Sequence, residues 1–124
     1  MVNFAYSALI RNLLMADSTV HDLIGNNIFP IVAEAGTQFP FLVYRRSGFY
    51  KGNPNKDDFD NKFTVELAIL ANSYTKGIEI LNNVVRVLDG YDNGKLAINV
   101  TNSYEDFQDD TYIEKINLEI KYNN

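Results

Sequence analysis

The residues that could do chemistry in this chain are few. The single histidine, His21, would need a nucleophile, a carboxylate or further ligands converging on it. No motif around it supplies them, so a water-facing or capping histidine is expected. Asp57, Asp58 and Asp60 share the alternate spacing that opens a calcium loop. The next alternate position is Lys62, however, no glycine stands at the centre, and no glutamate closes the loop. A solvated loop tip is the plainer reading. Asp58 or Asp60 with Glu66 would suit a metal-dependent nuclease, but the lysine wanted two residues after the strand acid is Ala68. Asp89, Asp92 and Asn93 have the donor types to ligate a cation, but a helix end followed by a tight turn explains them without a ligand. Glu105, Asp106, Asp109, Asp110 and Glu114 form a local acid cluster. It fits a cation or a basic partner, against the ordinary alternative of a solvated hairpin loop. No metal and no cofactor is expected from these patterns.

One stretch mixes cations with rings: Arg45, Arg46, Phe49, Tyr50, Lys51 and Lys56. Stacking plus phosphate contacts would bind a single strand. Three aspartates lie beside it, and the chain carries a net charge of -5. Contact with protein is therefore expected there, and no sequence-specific nucleic-acid binding. No phosphate-cradling glycine loop, dinucleotide fingerprint or nucleophile elbow is present. Asn99-Val100-Thr101 is a formal glycosylation triplet, read as chance because the N-terminal residues show no basic region followed by an apolar block and a signal peptide is therefore not expected. The absence of cysteine excludes a disulfide scaffold, a thiolate zinc site and a cysteine nucleophile. With no acid, base and nucleophile brought together, an enzyme is not expected.

The elements around these residues follow from periodicity. At 124 residues and 46% hydrophobic, the chain suits one domain spanning 1–124 with a proper core. No apolar run approaches the roughly 18 residues of a membrane helix, so no membrane contact is expected. Apolar residues at three- and four-residue spacing predict a helix over 3–16. A short helix over 19–24 follows, with Asp17 and Ser18 as cap candidates and Gly25 ending it. Short extended segments are predicted over 28–32 and 41–46. Apolar residues on both faces of the latter call for cover on both sides, or a partner on the second. A long hairpin connection, 48–60, is expected to carry a flexible tip over 50–58. Strict alternation marks 61–71, with Phe63, Val65, Leu67 and Ile69 on one face. Ser73 caps a helix over 74–88; Gly77 weakens its first turn. Strands over 95–101 and 112–122 flank the acidic segment. Their order disfavours a parallel doubly wound sheet. It predicts an α+β fold: an antiparallel sheet of four to five strands with two main helices packed on it. Leu67, Ile69, Leu81, Val84, Leu88, Ile98, Leu118 and Ile120 are the expected core.

The succession of short motifs is similar to a family. Leu13-Leu14-Met15-Ala16-Asp17 leads to Val20 and then Leu23-Ile24-Gly25, followed by Ile28-Phe29-Pro30. After a loop come Pro40-Phe41-Leu42-Val43-Tyr44, and later Ser73-Tyr74-Thr75 and Val87-Leu88-Asp89-Gly90-Tyr91. In this order the chain resembles the small tail-completion proteins of tailed bacteriophages and prophages, often labelled a domain of unknown function. The resemblance covers roughly residues 5–122; the loop 48–60 and the segment 105–110 are less family-like, so no function is inherited there. It implies a virion structural protein, made in the bacterial host cytoplasm and located in the tail. It implies a ring, a hexamer among the sizes allowed, which completes the tail and joins it to the head connector. Partners would be further copies, the tail tube and the head connector. Since the family is not known for catalysis, no active-site residues carry over. A non-catalytic small-ligand-binding or regulatory α+β module remains the alternative, because fold alone does not fix function.

Rings outside the apolar stripes are the candidate interface. Eight tyrosines and eight phenylalanines exceed what a core of this size needs. Tyr44, Phe49, Tyr50, Phe59, Tyr104, Phe107 and Tyr112 are the residues expected to meet other copies or tail proteins.

Overall fold

The computed structural model describes residues 4–52 and 61–122, apart from the side chains of residues 6 and 7. A 3-10 turn, Phe4–Ala8, runs into α1, Leu9–Ala16; α2, Ser18–Ile24, and β1, Ile28–Pro30, follow. Then come β2, Phe41–Lys51; β3, Asn61–Ala71; α3, Tyr74–Leu88; β4, Leu96–Gln108; and β5, Thr111–Tyr122. The fold is α+β. Its five strands form one sheet in the order β1-β2-β3-β5-β4, and the helices cover one of its faces.

The strands obey the alternation rule. Phe63, Val65, Leu67, Ile69 and Ala71 of β3 face the helices and are buried, as are Ile116, Leu118, Ile120 and Tyr122 of β5. Ile80, Val84 and Leu88 meet them from α3, and Ile10 and Leu14 from α1. Leu81 is half-buried at the core's margin rather than in its centre. It lies one residue round the helix from Ile80, and the sheet fills only the inner stripe.

Caps fix the helix ends. The Asp17 carboxylate accepts from the Val20 amide at 3.0 Å and from Arg86 Nη2 at 2.9 Å. One side chain thus starts α2 and holds the last turn of α3. The Arg86 bond, then the Val20 amide, keep the Asp17 carboxyl below its ordinary range. Ser73 accepts from the Lys76 amide at 3.3 Å at the start of α3.

Several boundaries differ from the sequence expectations. The N-terminal helix opens as a 3-10 turn. β1 pairs with β2 in parallel, Ile28 opposite Leu42, while all other pairs are antiparallel. Residues 31–40 carry the chain back to the start of the sheet instead of turning it in a hairpin. β2 continues to Lys51, past a bulge between Arg46 and Gly48. A Cβ at Gly48 would stand 2.8 Å from Thr64 Oγ1, which explains a glycine inside the strand. Residues 50–51, expected in a flexible tip, are thus strand; 53–58 lie outside the described residues. The acidic segment is also not a loop. Glu105 to Gln108 belong to β4, and Asp109-Asp110 form the whole turn, with φ of 50° and 57°. Two left-handed residues make the tight hairpin turn whose twist matches the strands, and Asp tolerates that conformation.

Candidate functional site

Most residues tested for chemistry bond to their own backbone or pair with neighbours. Asp89 Oδ1 accepts from the Val100 amide at 2.9 Å, and Asp92 Oδ1 from the Gly94 amide at 2.8 Å. Asn93 Oδ1 accepts from the amides of Lys95 and Leu96, both at 2.9 Å. The three side chains are turn fasteners. His21 is exposed on α2, and its carbonyl receives the Gly25 amide. Glu66 pairs with Arg45 at 3.4 Å. Asp57, Asp58, Asp60 and Lys56 lie outside the described residues. Among the described residues no three His, Asp or Glu side chains converge as metal ligands do.

The candidate interface rings separate into distinct places. Tyr44 is mostly buried in the core on the helix side of β2, and its remaining surface lines the edge cavity described below. Position parity explains this: Leu42 and Tyr44 share the inward side of β2. Burial raises the pKa of its hydroxyl. Phe49 is half-buried among its own neighbours, 5.3 Å from the Phe4 ring and 5.2 Å from Phe63. Phe63 in turn stacks 5.4 Å from Tyr122. Tyr50 is 58% exposed, with Lys62 Nζ 4.9 Å from its ring. Phe59 lies outside the described residues. Tyr104, Phe107 and Tyr112 lie toward the other edge of the sheet, Phe107 and Tyr112 on its helix side and Tyr104 on its helix-free side. Phe107 and Tyr112 lie 4.8 Å apart, Tyr74 joins them 5.8 Å from Tyr112, and Lys115 covers Tyr104.

Tyr74, Phe107 and Tyr112 surround Glu114, an acid that sequence reasoning placed in solvent, and its exposed neighbour Glu105. Tyr74, Glu105, Asp106, Phe107, Tyr112 and Glu114 line a cavity of about 290 Å³ where α3 begins over the β4–β5 hairpin. Tyr74 Oη donates to Glu105 Oε1 and Oε2 at 3.3 and 3.1 Å, which raises the tyrosine's own pKa. Glu114 is only 3% exposed. Burial first, then hydrogen bonding with Glu105 and its charge, push the Glu114 carboxyl up to about 7. The signal was present in the sequence. Glu114 has the same parity as Ile116, Leu118 and Ile120, so it had to point at the helices. Gly77 of α3 packs over it: a Cβ there would stand at ordinary contact distance, 3.6 Å from Glu114 Cγ and 3.7 Å from the Ala71 methyl group.

The opposite edge of the sheet is basic and apolar. β1 stops at Pro30, and β2 runs on alone beyond it. Phe4, Pro30, Ile31, Tyr44, Arg45 and Arg46 line a cavity of about 450 Å³ at this step. The Arg46 guanidinium lies 4.5 Å from the Phe4 ring centroid. Ile31, 74% exposed, lies on its rim, and Val32 after it is 72% exposed. Ile31 has φ of 68°, a conformation that strains a β-branched residue, and its amide is tied to the Tyr44 carbonyl at 2.7 Å. Arg45 and Arg46 point to opposite faces of the strand. They therefore build no continuous basic surface of the kind a nucleic-acid strand requires.

The helix-free face of the sheet answers why β2 is apolar on both sides. Val43, Ala68, Leu70 and Ile113 line a shallow groove of about 280 Å³ there, bordered by Arg45, Glu66 and Lys115.

No protein-family model matches the sequence, and neither does any curated protein. Among solved structures, the fold matches a chain of the "Virion of native gene transfer agent (GTA) particle". The TM-score is 0.70, and the match covers 93% of this chain and 92% of that one at 10% identity. At that identity the likeness establishes a shared fold, end to end.

Proposed function

We propose that this protein is a non-catalytic structural component of a phage or phage-like virion. Its copies form a ring that completes the tail and joins it to the head connector. The observation that carries this reading is the match to a virion chain over nearly the whole of both molecules. The motif order that resembles tail-completion proteins supports the finer assignment. The two edges of the sheet, each presenting exposed rings or branched apolar residues beside charge, have the composition of protein contact surfaces.

The test is deletion of the coding sequence from the replicon that carries it. Filled heads and finished tails should accumulate unjoined in electron micrographs. Purified protein added to the mixed lysate should restore joined particles and be found in them by mass spectrometry. Particles that assemble normally without the protein would refute a virion role. Particles that need it but carry it away from the head–tail junction would refute only the joining role.

A further inference from the structure

We infer that one copy docks the acidic end of its β4 edge onto the basic β2 edge of the next copy, where β1 has ended. The inference rests on the ring reading above for its context, and on the two edges for its content. A closed ring of identical subunits needs a head-to-tail contact between two different surfaces, and this sheet has two that complement each other. Its outer strands are β1 and β4. On one side, β2 passes beyond its three-residue neighbour after Tyr44, leaving Arg45 to Lys51 without a strand alongside among the described residues. On the other side, β4 pairs with β5; residues 90–93 bond to its outer side at Leu96 to Ile98, and from Asn102 to Gln108 no further strand lies alongside it among the described residues. Free strand edges are ready surfaces for a further chain.

Charge and shape point the same way. The β4 edge ends in Glu105 and Asp106, followed by the turn acids Asp109 and Asp110, with Phe107 53% exposed among them. The β2 edge offers Arg46, whose neighbour in contact is an aromatic ring rather than a carboxylate. Beside it lies the 450 Å³ cavity rimmed by Ile31. A docked β4 end places Asp106 toward Arg46 and lays the open side of the Phe107 ring against that apolar rim. The strained backbone at Ile31 has a purpose in this arrangement, since it turns two branched side chains outward where the partner arrives. The acids and the cations lie at opposite edges, so the contact repeats from copy to copy.

The chain has no cysteine, which makes the contact trappable. Val32→Cys and Gln108→Cys are introduced together, and the folded protein is treated with a short bismaleimide. A ladder of dimers, trimers and longer products is expected from the double variant, and monomer from each single-cysteine variant. Adding Arg46→Glu or Asp106→Arg should reduce the ladder by at least about tenfold, and adding both should restore it. Melting curves of each variant confirm folding before treatment. No ladder from a folded double-cysteine protein overturns the inference. So does a dimer from a single-cysteine variant, which would mean a two-fold contact, or a ladder that ignores the charge reversals. A failed ladder beside a clear joining defect on deletion would remove this interface and leave the virion role standing. A charge-dependent ladder from a protein absent from particles would do the opposite.

Discussion

Replacing Glu114 with glutamine removes a charge and keeps the shape. The folded protein holds the Glu114 carboxyl near 7, against an ordinary value of 4.5. Because the folded value is raised, the protonated acid stabilises the fold. That contribution is complete below about pH 4.5 and disappears as the pH rises through about 7. A displacement from 4.5 to about 7 corresponds to roughly 3 kcal/mol at most, of which about 2–3 kcal/mol is lost between pH 5 and pH 8. Glu114→Gln can still donate to Glu105 and carries no charge at either pH. Urea unfolding of both proteins at pH 5 and pH 8 measures the difference. The parent should lose about 2–3 kcal/mol more than the variant over that interval, or about 10 °C in Tm for a chain of this size. The variant should be the more stable of the two at pH 8. Parallel pH dependences in parent and variant would mean that Glu114 titrates like a solvated carboxylate, and its burial beside Glu105 would be refuted.

Two other substitutions test the layers around that pair. Val84→Asp puts a carboxylate into a fully buried position between α3 and the sheet and should cost several kcal/mol in chemical denaturation; melting alongside the parent would mean the helix face is wrong. Gly77→Ala places a methyl group at ordinary contact distance from Glu114 and Ala71, so α3 should gain about 0.5–1 kcal/mol from the better helix former, and a loss of stability would show the helix seated closer to β5 than described.

Local rules determined much of this protein. Period-two alternation set β3 to its residue limits and named its buried face. The cap at Ser73 and the apolar stripe did the same for α3. The side chains of Asp89, Asp92 and Asn93 were legible as fasteners because their partners lie within a few residues or on the adjoining strand. Other features depended on residues far apart in the chain. The parallel pairing of β1 with β2 has no local turn chemistry to reveal it, since a ten-residue return can lead to either side of a strand. Tyr44 and Phe49 look like surplus rings until the sheet seats Tyr44 in the core and brings Phe4 and Phe63 to Phe49. Glu114 looked like part of a solvated acid run because Glu105 to Asp110 are its sequence neighbours. Only the hairpin and α3 together turn it into a buried acid, since the cover that buries it comes from a helix turn around Gly77, 37 positions earlier in the sequence. The two charged edges are likewise a tertiary fact: strand order, which no periodicity records, places Arg46 at one side of the sheet and Asp106 at the other.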